Sequence, residues 1–196
     1  MSPHVDVDRL RHEIRLTYTD VSTDQERDFI FPTGRAWAEE LGYPQPELAR
    51  VPDATVESFA GVANHWRLGD VEPGAVVLDL GCGAGTDLLI AAQRCRRAIG
   101  VDMTPAMLER AETSAREMGL ANVELHESLI ERLPVEDASV DIVISNGVID
   151  LVPDKDAVFA EIDRVLRPGG RVQLADVIVH TAVSEDARER IDLWTG

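Results

Sequence analysis

The chain has 196 residues, 44% of them hydrophobic and 28% charged, enough for one domain with a sizeable core. Its 36 acidic residues outnumber its 19 basic ones and leave a formal charge of −17, which repels phosphate backbones and anionic membranes, so neither nucleic acid nor membrane is expected as a partner. No apolar run reaches the length of a membrane span, and the start Met1-Ser2-Pro3-His4-Val5-Asp6 lacks the basic and apolar regions of a secretory signal; Cys82 and Cys95 have no metal-ligand spacing, and the expectation is a cytoplasmic protein.

Residues 6–19 carry Leu10, Ile14 and Leu16 at roughly helical spacing among charges, which predicts a short helix riding on the domain. Residues 20–75 are rich in breakers, among them Pro32, Gly34, Gly42, Pro44, Pro52 and Gly61, so short helices over 35–41 and 54–59 with loops between are expected. Residues 1–74 thus read as a helical and looped N-terminal cap on a core of residues 75–196. There the pattern becomes regular. Ala75-Val76-Val77-Leu78-Asp79-Leu80 is an apolar run of strand length, followed by glycines and a helix over 88–94. Residues 98–102 form a second strand; Thr104-Pro105 then opens a helix, with threonine as N-cap and proline at the first helical position, that runs to Gly119. Strands over 122–126 and 140–145, a helix from Pro153-Asp154 to before Pro168, and a fifth strand over 171–179 complete the series. Strands that alternate with helices and are apolar on both faces predict an α/β fold with a parallel sheet covered on each side.

In such a sheet ligands bind beyond the carboxyl ends of the strands, near the switch in strand order. The turn Asp79-Leu80-Gly81-Cys82-Gly83-Ala84-Gly85 stands there, its glycines permitting positive φ and close approach of a ligand to the backbone. Asp102 ends the second strand, where a carboxylate can accept hydrogen bonds from both hydroxyls of a ribose. These features point to a nucleoside cofactor. Thr86 stands where the dinucleotide fingerprint needs its third glycine, and Asp79 would oppose a pyrophosphate. The same carboxylate suits a ligand that carries an ammonium group and a sulfonium.

Together these residues resemble the class I S-adenosylmethionine-dependent methyltransferases over most of residues 74–179, through Val77-Leu78-Asp79-Leu80-Gly81-Cys82-Gly83, Val101-Asp102, Leu133-Pro134 and Arg164-Val165-Leu166-Arg167-Pro168-Gly169-Gly170. A closer resemblance, to arsenite methyltransferase-like proteins, rests on Gly100-Val101-Asp102-Met103-Thr104, Ile144-Ser145-Asn146-Gly147-Val148-Ile149-Asp150-Leu151, Asp154-Lys155, Gly42-Tyr43-Pro44 and Gly61-Val62-Ala63-Asn64. The resemblance implies a Rossmann-like, mostly parallel sheet and S-adenosyl-L-methionine as cofactor, with no metal. It implies that Asp79, Gly81, Cys82 and Gly83 hold the methionine end, and Asp102 and Met103 the ribose and adenine. Ile130 and Glu131 would flank the adenine, and Asn146 would line the wall near the methyl group.

Two departures bear on the acceptor. Arsenite methyltransferases hold trivalent arsenic with thiolates, a soft-ligand requirement, yet this chain has Gly147 in the Ser-Asn-Cys stretch and Val62 in the Gly-Cys-Gly-Asn stretch. The family sheet has seven strands, whereas this chain stops at Leu193-Trp194-Thr195-Gly196 after the fifth. A C-terminally incomplete core is therefore expected, its edge and Trp194 open to a missing segment, a second copy or another polypeptide. Methyl transfer from a sulfonium is an in-line displacement that needs positioning above all, and a base only for a protonated acceptor. His65 and Asp150 are the candidate bases, with His65 reading first as an exposed loop histidine. His126 and His180 read as structural, and Tyr18 either closes over the cofactor or simply packs. The expected function is methyl transfer to a small-molecule acceptor. The alternative is a cofactor-binding module without turnover; arsenite methylation and nicotinamide-dependent oxidation rank below both.

Overall fold

The structure, a computed structural model, describes residues 6–23, 29 and 31–181. Five strands, β1 (Val76–Leu80), β2 (Arg97–Asp102), β3 (Val123–Glu127), β4 (Val140–Asn146) and β5 (Leu166–Ala175), form one sheet in the order β3-β2-β1-β4-β5. Every pairing is parallel. Chain order reverses at β1, whose neighbours are β2 and β4, so the switch-point crevice opens at the carboxyl ends of these three strands.

All five residues of β1 are buried, as an apolar run covered on both faces requires. On one face Val77, Ala98, Ile142 and Ile144 pack against Leu88 and Leu89 of α5 (Thr86–Ala92). Leu78, Ile99, Val101 and Val143 face the other way, onto Val158, Ile162 and Val165 of α7 (Lys155–Val165). Between them in sequence runs α6 (Pro105–Glu117), preceded by Thr104 and opened by Pro105 as expected, although the Thr104 side chain makes no capping hydrogen bond.

The N-terminal part forms α1 (Val7–Thr23), α2 (Gly34–Glu40), α3 (Gln45–Leu48), α4 (Asp53–Val56) and a 3-10 turn (His65–Leu68). Ala38, Tyr43, Leu48, Val56, Phe59 and Trp66 join the same apolar cluster as Val77 and α5, so these segments and the sheet share one core. The stripe that seats α1 is Leu10, Ile14, Tyr18 and Val21; Leu16 faces solvent, because a four-four-three spacing excludes it from that side.

The fifth strand differs most from expectation. It begins at Leu166 and ends at Ala175, and the Pro168-Gly169-Gly170 stretch, expected to precede it, lies inside it. Its register against β4 jumps from Val140↔Leu166 to Ile142↔Arg171, so residues 167–170 bulge out of the ladder. His180 lies beyond the strand end and is exposed. Val172 on β5 and Phe159 on α7 are exposed, while Trp194 lies outside the described residues. No helix among the described residues is long and apolar enough to cross a membrane.

Candidate functional site

Beyond the carboxyl ends of β1, β2 and β4 lies a pocket lined by all nine residues singled out from the sequence: Asp79, Gly81, Cys82, Gly83, Asp102, Met103, Ile130, Glu131 and Asn146. Gly81, Gly83 and Gly85 have φ of +66°, +52° and +97°. The turn thus takes a path that residues with side chains rarely adopt, and Gly81 and Gly83 present bare backbone to the pocket.

The two ends of the pocket differ in chemistry. At one end the Asp102 carboxylate is fixed by two backbone donors, Gly83 N–H at 2.9 Å and Thr104 N–H at 2.8 Å. A carboxylate has about four acceptor sites, so the outer lone pairs remain for ligand hydroxyls. Burial raises its pKa, and the N–H groups of Thr104 and Gly83 oppose the rise. At the other end Asp79 is 3% exposed, and its Oδ2 is buried without a hydrogen-bond partner. Burial, then the charges of Asp87 and Asp102, push its carboxyl well above the usual range.

Asp87 lies on the same pocket wall and ties distant segments together. Its Oδ1 accepts from Trp66 Nε1 at 2.9 Å, and its Oδ2 from the Tyr43 hydroxyl at 3.0 Å and Asn146 Nδ2 at 3.3 Å. His65 Nε2 lies 3.1 Å from Oδ1, at ion-pair distance, but neither ring nitrogen makes a hydrogen bond. Burial acts to raise the Asp87 carboxyl; His65 alongside, with Asn146 and Tyr43 as donors, outweighs it and holds the group below its usual range. His65 is therefore not an exposed loop histidine. It is 1% exposed, is absent from the pocket lining and is held behind Asp87, which removes it as a base in contact with an acceptor.

The Asn146 amide is spent on the protein. Its Nδ2 also donates to the Tyr43 hydroxyl at 2.7 Å and to Ala63 C=O at 3.0 Å, while its Oδ1 accepts from Val62 N–H at 2.8 Å and Ala63 N–H at 3.3 Å. This clamps the loop that begins at Gly61, whose own carbonyl accepts from Trp37 Nε1 at 2.7 Å. Val62 in turn fills the space beside Gly147: a Cβ at Gly147, whose φ is +69°, would stand 2.9 Å from Val62 Cγ1.

From the N-terminal side α1 contributes Arg11, Ile14 and Tyr18 to the lining. Arg11 donates to Glu131 Oε1 at 2.9 Å, joining the helix to the loop after β3. Burial, then Asp150 and Asp102, raise the Tyr18 phenol pKa. Asp150 does not line the pocket. It pairs with Asp176, whose carboxylate accepts from the backbone N–H groups of Ile149 and Asp150. Burial, then the hydrogen bond and charge of Asp176, push the Asp150 carboxyl up to about 7. His126 Nε2 lies 2.7 Å from Glu124 Oε1 on β3, away from the pocket lining. Sequence reasoning missed Arg11 and Asp87; a one-turn offset from Ile14 and a place in the first turn after the glycines were the only signals.

A methyltransferase domain family model matches residues 71–194. An arsenite methyltransferase of Halobacterium salinarum is 41% identical over 167 residues, covering 84% of this chain and 42% of that protein. Nocamycin O-methyltransferase of Saccharothrix syringae is 35% identical over 145 residues, covering 70% of this chain and 51% of that protein. Among solved structures, an arsenic(III) S-adenosylmethionine methyltransferase from Chlamydomonas reinhardtii superposes with a TM-score of 0.66 at 38% identity, covering 76% of this chain and 53% of that one. The chain thus spans about half or less of the length of these relatives. A glycine turn between two carboxylates at the switch point and a family model over the whole sheet lead to one conclusion: the chain belongs to the methyltransferase domain family, as a class I S-adenosylmethionine-dependent member related to arsenite methyltransferases.

Proposed function

We propose that this pocket binds S-adenosylmethionine and that the chain transfers its methyl group to a small carbon-based acceptor, with residues 1–74 as a cap on a cofactor core of residues 75–196. The observation that carries the reading is the split between the two ends: a buried carboxyl oxygen without a partner at Asp79, and a carboxylate locked by two N–H groups at Asp102. S-adenosylmethionine supplies a methyl group already activated on a sulfonium. Asp79, with Asp87 behind it, offers negative charge to the ammonium end; Asp102 accepts from the ribose hydroxyls. Met103, Ile130 and the Arg11-bound Glu131 enclose the base, and Tyr18 covers the pocket from α1. The clamped loop from Gly61 and the Asn146-Gly147-Val148 segment form the acceptor side, where the protein's work is orientation and exclusion of water.

An acceptor other than trivalent arsenic is favoured by the Val62–Gly147 contact. These two positions carry thiols in the arsenite methyltransferase pattern; here they abut as an isopropyl group and a bare backbone, and neither offers a soft ligand. The O-methyltransferase relative supports an oxygen nucleophile. The two free, buried cysteines accord with a reducing, cytoplasmic setting.

Calorimetry with S-adenosylmethionine and S-adenosylhomocysteine tests the cofactor. Both bind the wild-type chain, and Asp102→Asn weakens both by about tenfold or more, the loss of charged acceptors to two hydroxyls. Unchanged affinity in that variant would refute the assignment. Methyl-release assays against phenols, carboxylic acids, amines, thiols and arsenite then sort the acceptor; turnover on arsenite alone overturns the carbon-based reading, and binding without any turnover favours a cofactor-binding module.

A further inference from the structure

Asp79 and Asp87 are neighbouring buried acids with unequal surroundings. Asp87 receives hydrogen bonds from Tyr43, Trp66 and Asn146 and has His65 beside it. Asp79 has one oxygen with no partner at all among the described residues. The titratable groups that act on it are acidic: Asp87 on α5, Asp102 at the end of β2, the Tyr43 phenol from the cap, and the Cys82 thiol in the turn. His65 lies beside Asp87, its Nε2 3.1 Å from Oδ1. A buried carboxylate with neither cation nor full hydrogen bonding is costly, and the group escapes the cost by keeping a proton.

We propose that ligand capture at this end of the pocket is an exchange of cations, in which Asp79 gives up its proton as the ammonium group of the incoming ligand settles beside it. The inference rests on the S-adenosylmethionine reading above and goes further, in making proton release part of binding. It accounts for the coexistence of two buried acids here. Asp87 is ionised throughout and holds the surrounding segments in place, whereas Asp79 is neutral when no cation is present and charged when one is. The upward push that burial, Asp87 and Asp102 exert on Asp79 agrees with this arrangement.

The sign follows from linkage. Where the free pocket holds the proton and the loaded pocket does not, affinity rises with pH by up to about tenfold per unit, and the dependence flattens once the free Asp79 is itself ionised. A ligand without the ammonium group gains nothing from the exchange.

Isothermal titration calorimetry of the wild-type chain at about pH 6, where a ligand α-amino group is still protonated, tests this in buffers of low and high ionisation enthalpy. The difference in heat between buffers counts protons. S-adenosylmethionine and S-adenosylhomocysteine are expected to release a proton fraction approaching about one, methylthioadenosine none, and Asp79→Asn none with any of the three. Equal heats in both buffers for the first two ligands overturn the exchange while leaving the cofactor reading intact. Release that persists in Asp79→Asn, or that methylthioadenosine also causes, overturns it as well. Failure of all three ligands to bind removes both. Should Asp79→Asn not fold, the comparison of methylthioadenosine with S-adenosylhomocysteine on the wild-type chain decides alone.

Discussion

Replacing Tyr43 with phenylalanine deletes one oxygen from the centre of the Asp87 network and nothing else. The ring stays seated edge-on against Phe59, with centroids 4.8 Å apart. Two hydrogen bonds are lost: the hydroxyl's donation to Asp87 Oδ2 at 3.0 Å, and its acceptance from Asn146 Nδ2 at 2.7 Å. A bond to an ionised acceptor contributes about 1.5–3 kcal/mol and a neutral one about 1 kcal/mol. The Asn146 amide keeps Ala63 C=O and Asp87 keeps Trp66, so part of the loss is made good and about 2–3 kcal/mol remains. In a chain of this size each kcal/mol moves the melting temperature by about 2–4 °C, and thermal unfolding followed by circular dichroism should show Tm lower by about 5–10 °C at neutral pH. Because Asp87 is held below its usual range, the stabilisation is present above the unfolded pKa of about 3.9 and disappears as acid carries the pH down through the folded value. The gap between variant and wild type should therefore hold from pH 7 to about 5 and narrow only in stronger acid. A shift below about 1 °C at pH 7, or a gap that closes as pH rises, would refute the network as described.

Gly147→Ala places a Cβ in left-handed backbone and against Val62, so it should cost about 1–3 kcal/mol in urea unfolding. Val62→Ala in the same chain should recover part of that, and strict additivity would show that the two residues do not touch. Asp150→Asn supplies an amide donor where only a protonated acid could donate to Asp176. A carboxyl raised to about 7 stabilises the fold below its unfolded pKa and loses that contribution as pH rises through 7, so the variant should melt higher than wild type at about pH 8 and equally at about pH 4. Equal gains at both pH values would contradict the pairing. Finally, a chain of formal charge −17 repels itself, and Tm should climb as sodium chloride shortens the screening length from about 10 Å at 0.1 M to about 3 Å at 1 M; a flat or falling Tm would mean that the acidic surface is already neutralised locally.

What could be read from the sequence was what short spacing determines. Asp79, the glycines and Asp102 lie in strand-turn-helix units whose geometry is local, so their meeting at the switch point was visible in the order of the residues. The partners of Asp87 were not, because Tyr43 is 44 residues away from it and Asn146 59. Arg11 and Glu131 are 120 residues apart. His65 misled for the same reason: a histidine after an asparagine in a breaker-rich stretch resembles a loop residue until α5 brings a carboxylate to it. Leu16 shares a roughly helical spacing with Leu10 and Ile14, yet the packed side of α1 runs through Tyr18 and Val21. In β5 the proline and glycines suggested an interruption, and the strand accommodates them as a bulge against β4.

The Asp87 carboxylate also has a bearing on motion. One side chain accepts hydrogen bonds from Tyr43 between α2 and α3, the 3-10 turn at Trp66 and the end of β4 at Asn146, and Asn146 holds the backbone of the Val62–Ala63 loop. That loop cannot swing out without breaking the hydrogen bonds that Val62 N–H, Ala63 N–H and Ala63 C=O make with Asn146, which raises its opening free energy. Amide hydrogen exchange at Val62 should then be slow for a loop residue and should quicken in Asn146→Ala. In the proposed reading the acceptor meets a wall already in its final shape, and the loop orders nothing when a substrate arrives. Selectivity on this side would come from rejecting molecules that do not fit a rigid surface, with little ordering entropy lost on binding.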